Sequence, residues 1–311
     1  MKARLSAAVL VFLLGACTAP PEEAPAETPP EELVEEEMEI GDDQHLGGCI
    51  LTVPTGQVPE DLNQATDLAA TDAYPPFTKT TNAFGLILVA SDDIPDPFID
   101  LVVQTTREMF PQDEAMDLAK QADVLRSQYL YRAVIPMFVG EPEREDMEGT
   151  GFERVESENS VCDIIMVTDE GQVMEVVEHI LHYVSDIGLH YAFPDEWGIH
   201  RNSELALAMD RAIEAGYYDV EQYGDIDEEE VHFRVLMQEF AYWVISTAWN
   251  LQENYGPAGE AEWSILNAEE MKAKMPDLYD MIERTVGTVM AAPSLETLQK
   301  IGPTRAEEAE G

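Results

Sequence analysis

The chain has 311 residues, with 17 Lys and Arg set against 63 Asp and Glu, which gives a formal net charge of −46 at pH 7. A charge of that sign and size repels nucleic acid and anionic lipid headgroups, so nucleic acid is excluded as a partner. With 45% hydrophobic residues the chain still builds a sizeable core, which excludes global disorder, and its length predicts one large domain or two small ones.

The first 16 residues read as an export signal. Lys2 and Arg4 form a positive start, and an apolar run from Ala7 to Leu14 follows, too short to span roughly 30 Å of hydrocarbon as a helix. The run ends in Leu14-Gly15-Ala16-Cys17, which resembles the lipobox of bacterial lipoproteins. That resemblance implies cleavage before Cys17, acylation of its thiol and new amino group, and a cell-envelope protein tethered to the membrane without spanning it. Each buried lipid methylene contributes about 0.8 kcal/mol, so several acyl chains anchor far better than one. Thr18, not being Asp, implies the outer membrane if the cell is Gram-negative. The alternative is an ordinary secretory signal with a chance cysteine.

Residues 17–45 are rich in Pro, Glu, Ala and Thr, as in Pro20-Pro21-Glu22-Glu23 and Glu35-Glu36-Glu37. So few large apolar groups cannot offset the entropy of ordering, and this segment is expected to be a disordered, extended tether. Residues 301–311 are expected to be a disordered acidic tail. With Cys17 lipidated, Cys49 and Cys162 remain as an even pair in an oxidising compartment, where a disulfide persists. Closing a loop of that length stabilises by about 4–5 kcal/mol in the chain-entropy model. Two buried free thiols are the alternative.

Between tether and tail the hydrophobic period changes. Residues 46–170 read as an α/β subdomain. Phe84 to Ala90, Ala133 to Val139 and Val161 to Val167 are short apolar runs that suit buried strands. A helix opened by Asp92-Asp93-Ile94-Pro95 runs to about Met109, and another covers about Ala115 to Tyr131. Residues 171–300 read as a helical subdomain, with helices over Val173–Ile187, Ser203–Ala215, Glu228–Asn250 and Ala268 to about Met290, the last restarted at Pro276. The fold class is therefore α+β: a small mixed β-sheet with flanking helices, followed by a mostly α-helical half.

One helix carries unusual residues. At 100° per residue, Glu175, Glu178, His179, His182 and Asp186 share a polar arc about 100° wide, opposite Val176, Val177, Ile180, Leu181, Tyr183 and Val184. Imidazoles three or four residues apart can point at one ion, with zinc–nitrogen distances of about 2.0–2.1 Å, and a nearby carboxylate can accept a proton. The competing reading is a solvated face knit by i,i+4 Glu–His pairs worth a few tenths of a kcal/mol each.

The order of segments weighs on that choice. A strand at Cys162–Val167 precedes the His helix, a Pro/Trp loop, Phe193 to Trp197, follows it, and Gln238-Glu239-Phe240-Ala241-Tyr242-Trp243 lies on a later helix. This order resembles the anthrax-lethal-factor-like gluzincin group of zinc metallopeptidases, over about residues 84 to 285. The resemblance implies a zincin-like helical half, zinc as cofactor, a protein or peptide as substrate, His179, His182 and Glu239 as metal ligands, and Glu178 as general base. The family motif H-E-x-x-H stands here as Glu178-His179-Ile180-Leu181-His182, with the histidines three apart and the glutamate before the first. A second register, Glu175-x-x-Glu178-His179, resembles the inverted H-x-x-E-H motif with Glu in place of the first His.

Tyr242 is a candidate to stabilise an oxyanion beside the metal; as core, it would pack with Trp243 and Trp249. His190, His200 and His232 read as structural or surface histidines. Asp225 to Glu230 lacks the glycine and the final glutamate of a calcium loop and reads as an acidic helix start. The functional expectation is thus a membrane-tethered lipoprotein with a zinc-binding, metallopeptidase-like domain. The alternative is a non-catalytic envelope lipoprotein acting as a binding or structural module.

Overall fold

Five strands form one mixed sheet: β1 (Ala69–Ala70), β2 (Lys79–Ala83), β3 (Leu86–Ala90), β4 (Val134–Val139) and β5 (Ile165–Val167), in the spatial order β1-β2-β3-β4-β5. These coordinates come from a computed structural model that describes residues 49–140, 142, 147–168, 171–257 and 262–305, all within the unit Asp43–Gly311. The lipobox with Cys17 and the tether of residues 17–45 lie outside the described residues, as do residues 306–311 of the acidic tail.

β2 runs antiparallel to both of its neighbours, β1 and β3, whereas β3, β4 and β5 are parallel. Parallel neighbours require helical crossovers, and the sequence supplies them. Helices Asp96–Met109 and Leu118–Leu130 connect β3 to β4, and helix Phe152–Glu158 lies between β4 and β5. Every residue of β3 is buried, as its unbroken Leu-Ile-Leu-Val-Ala run requires of a strand covered on both faces. The β2–β3 hairpin turns through Phe84 and Gly85, both at positive φ, the pair of left-handed residues that a two-residue turn between right-twisted strands needs. A side chain at Gly85 would also meet the Leu125 carbonyl oxygen at 2.4 Å, so the turn packs directly on the second crossover helix.

One face of the sheet holds a small cluster of Phe77, Ile87, Val89, Val134 and Val155, with Phe77, Phe138 and Phe152 packed edge to face. The other face opens into the main core, which continues without a break through the helices that follow Gly171. These helices span Gln172–Tyr183, Glu204–Glu214, Glu229–Ala248, Ala268–Lys274, Pro276–Arg284 and Leu295–Ile301, with shorter turns between them. The molecule is thus the α+β arrangement its periodicity predicts. No helix among the described residues is long and apolar enough to cross a membrane.

Several boundaries differ from the sequence expectation. Strand β5 begins at Ile165, because Asp163 leaves the sheet to meet other groups. The α-helix expected to run to Ile187 ends at Tyr183 and widens into a π-helical turn, Val184–Leu189. There Gly188 faces Val124 and Gln128 of the second crossover helix, and a Cβ on it would lie 2.7 Å from Val124 Cγ1. Pro276, with no N–H to give, separates the helices Ala268–Lys274 and Pro276–Arg284.

Candidate metal centre

Helix Gln172–Tyr183 starts at Gly171, which has a positive φ, and packs against β5. Its polar arc does not face solvent. The long helix Glu229–Ala248 packs over it, leaving His179 8%, His182 1% and Asp186 2% exposed. The solvated-face reading therefore fails: two imidazoles and an aspartate sit in the core, where every polar atom needs a partner.

His182 is the hub. Its Nδ1 lies 2.6 Å from Asp163 Oδ2, and its Nε2 lies 3.6 Å from Glu239 Oε2 on the long helix. His179 is one turn back, with Nε2 3.4 Å from Asp163 Oδ1 and Nδ1 3.2 Å from Glu175 Oε1. Both rings keep a buried nitrogen with no hydrogen-bond partner, Nδ1 of His179 and Nε2 of His182. The residues gather into two sets, each able to offer three ligand atoms within 4.8 Å of one another: Glu178, His182 and Glu239 form one, and Asp163, His179 and His182 the other. The expected ligands His182 and Glu239 thus meet Glu178, while His179 belongs to the second set with Asp163.

The segment before β5 is fixed by Tyr183, the neighbour of His182. Its hydroxyl accepts from the amides of Cys162 and Asp163 and donates to the Asp163 carbonyl. Glu175 accepts from the Met166 amide and so ties the His helix to β5. Behind the site, Gln238 donates to Asp163 Oδ2 at 3.3 Å, and Arg234, buried on the same helix, bonds both the Gln238 amide oxygen and Asp186. A chain of polar contacts therefore runs from Arg234 through Gln238 and Asp163 to His182.

The electrostatics follow from burial and crowding. Burial drives the Glu178 carboxyl up to about 7, against the pull of the two imidazoles and with a further push from Glu239. Asp186 is pushed up to about 6 by burial, opposed by Arg234. Burial disfavours the charged form of His182, yet Glu239 and Asp163 outweigh it and hold the ring well above its ordinary value. Asp163 ends below the usual carboxylate range, because the His182 hydrogen bond and both imidazoles overcome its burial. The field around these rings favours positive charge, and it acts on a metal cation as it acts on a proton.

Tyr242 is buried beside the site, its ring edge-on to His182 with centroids 6.0 Å apart, and burial followed by the Glu178 charge drives its hydroxyl well above its ordinary value. His190 and His200 are hydrogen-bonded away from the cluster, to the Ile199 amide and the Pro194 carbonyl. His232, two turns before Glu239, is in neither ligand set. Cys49 and Cys162 form a disulfide with Cα atoms 4.9 Å apart. The residue that sequence reading did not single out is Asp163. Its signal was a lone acid inside the apolar run from Cys162 to Val167.

Compared with known proteins, the chain matches no family model, no curated protein and no solved structure. The case for this centre therefore rests on its own geometry: carboxylates and imidazoles in two overlapping sets, four of whose five members are histidine or glutamate side chains on two packed helices.

Proposed function

We propose that this chain is a lipid-anchored envelope protein whose helical half holds a zinc ion through Glu178, His182 and Glu239 and acts on a protein or peptide. The observation that carries the reading is His182 Nε2: buried, without a hydrogen-bond partner, and 3.6 Å from Glu239 Oε2. Two atoms each about 2 Å from one zinc at a tetrahedral angle lie about 3.3 Å apart, so that separation suits co-ligands. Asp163 Oδ2, 2.6 Å from the opposite nitrogen, supplies the orienting carboxylate that metal-bound histidines usually carry, and the Gln238 amide nitrogen stands 2.9 Å from that same nitrogen.

Zinc bound there would act as a Lewis acid on a substrate carbonyl. The chain's own residues supply the rest. Gln238 and Arg234 hold Asp163 in place, and Tyr242 sits where its hydroxyl could donate to a developing negative charge. The membrane is met through the Cys17 anchor, and the net charge keeps nucleic acid away.

A second reading is a zinc-binding module without hydrolysis, favoured by the placement of Glu178. As a ligand, it is no longer free to serve as general base. The test uses the full, tag-free chain extracted in detergent. Zinc should travel with the protein through gel filtration and be depleted in Glu239→Gln, and casein cleavage that a chelator abolishes would select the peptidase over the module. Zinc content no higher than in a mock preparation would end both readings.

A further inference from the structure

The sheet region carries a cavity of about 440 Å³ where the β2–β3 turn meets the end of helix Asp96–Met109. None of its lining residues belongs to either ligand set of the metal centre. Its size falls within the range that holds a small organic ligand, about 300–1,000 Å³. We propose that this cavity binds an acidic sugar: a ring with several hydroxyls and one carboxylate, the carboxylate held by Arg107 and the hydroxyls by side-chain amides.

Charge argues for the carboxylate. The chain has 63 acidic residues, yet none of those described lines this cavity, whereas Asp277 lines both cavities beside helix Glu204–Glu214. The charged group here is Arg107, exposed and without an ion pair among the described residues; its side chain donates to the neutral Gln104 amide oxygen. A guanidinium carries five N–H donors in a planar fork, so Arg107 keeps donors for a carboxylate, the acceptor that matches the fork two atoms at a time. An amino acid would bring an ammonium group as well, and the lining holds no acid to answer it.

The amides argue for hydroxyls. Asn63 donates to Gln112 Oε1 at 2.9 Å. Gln112 in turn donates to the Phe110 carbonyl at 3.3 Å and to the buried Gln121, whose own amide donates to the carbonyls of Pro111 and Val289. This side of the cavity is therefore set in place by the core, which lowers the ordering cost of binding. Among the described residues nothing takes the Gln64 side-chain amide or the Asn63 amide oxygen. Together they offer donors and acceptors, and a hydroxyl uses both.

The base of the cavity argues for a ring. Phe84 and Phe110 stack there with centroids 6.0 Å apart and planes 17° from parallel. Phe84 holds a φ of 54°, a left-handed backbone that strains a bulky residue and that Asn, the usual residue before Gly in such a turn, adopts readily. The turn by itself gives no reason for an aromatic side chain at this position. The stack on Phe110 gives one, and it supplies a flat apolar base that the C–H face of a sugar ring can cover.

The experiment is a titration of the full chain in detergent with glucuronate, followed by ligand-observed magnetic resonance, with circular dichroism to confirm that each variant folds. Wild type should bind with a dissociation constant on the order of 1 mM, as suits a ligand of about a dozen heavy atoms. Arg107→Gln should weaken binding about tenfold and Gln64→Ala by a smaller factor. Arg211→Gln removes an exposed cation that lines the other two cavities, and it should leave binding unchanged, which controls for net charge. Glucose lacks the carboxylate and N-acetylalanine lacks the hydroxyls, so each should bind at least about tenfold more weakly than glucuronate. The proposal is overturned by an absence of saturable glucuronate binding up to about 10 mM, by folded Arg107→Gln binding as wild type does, or by either analogue binding as tightly as glucuronate.

Discussion

The sheet region and the helical region bury different kinds of polar group. Up to β5, the buried polar residues are neutral: Thr81, Thr105, Thr106, Gln121, Ser127, Gln128, Asn159 and Ser160. Several are closed by their own helix, as Thr105, Thr106, Ser127 and Asn159 donate to the carbonyl four residues back. After Gly171 the buried set includes His179, His182, Asp186, His190 and Arg234, and most of these find their partners on other elements. Locally closed hydroxyls cost little and say little about function. Ionisable groups that reach across elements carry a desolvation cost that only distant partners answer, and that separates a candidate site from a scaffold.

This contrast can be tested in descending order of effect. Replacing both Cys49 and Cys162 by Ala should cost about 4–5 kcal/mol in urea unfolding, the chain-entropy value for a loop of 113 residues, since the sheet region relies on a covalent tie and apolar packing. Arg234→Met strands Asp186 in the core and should cost about 3–5 kcal/mol, read from the same melts.

His190 tests the sign of burial where no carboxylate answers it. Burial, helped by His200, lowers its pKa to about 4, and its Nδ1 accepts from the Ile199 amide. The folded state then holds fewer protons than the unfolded state. Stability is full above pH 6.5 and falls as pH drops from 6.5 toward 4, by about 3 kcal/mol in all. Urea melts at pH 7, 5.5 and 4.5 should show that slope, and His190→Gln should flatten it. Glu239→Gln should weaken zinc binding about 100-fold, or about 2.7 kcal/mol, in a competition titration with a chromogenic chelator. At the small end, Thr106→Val should cost only about 1 kcal/mol with zinc content unchanged; a loss of several kcal/mol would break the distinction between the two regions.

Much of the frame was legible in the sequence. The apolar runs at 86–90 and 134–139 are strands because buried parallel strands read as unbroken hydrophobics, and the helices of the second half follow their periodic stripes. Strand β2, Lys-Thr-Thr-Asn-Ala, was not legible, since it draws its stability from the ladder with β3 more than from its own side chains. The helix Leu295–Ile301 also went unseen; at seven residues it is too short for its stripe to stand out, although Ser294 caps it. At the centre, the polar arc of the His helix was visible as a period, but that it points inward depends on what packs over it. Asp163 and His182 are 19 residues apart in the chain yet 2.6 Å apart in space, a meeting that no sequence period reports. The π-helical turn after Tyr183 has no sequence period of its own to betray it.

The disulfide ends one peptide bond from Asp163. The strip of backbone that carries the acceptor of His182 is held by that bridge together with the Tyr183 hydroxyl, the Gln238 amide and the ladder to β4. The bridge therefore anchors the backbone beside Asp163 to a segment 113 residues earlier in the chain, so a change at Cys49 reaches the polar cluster through a single covalent link.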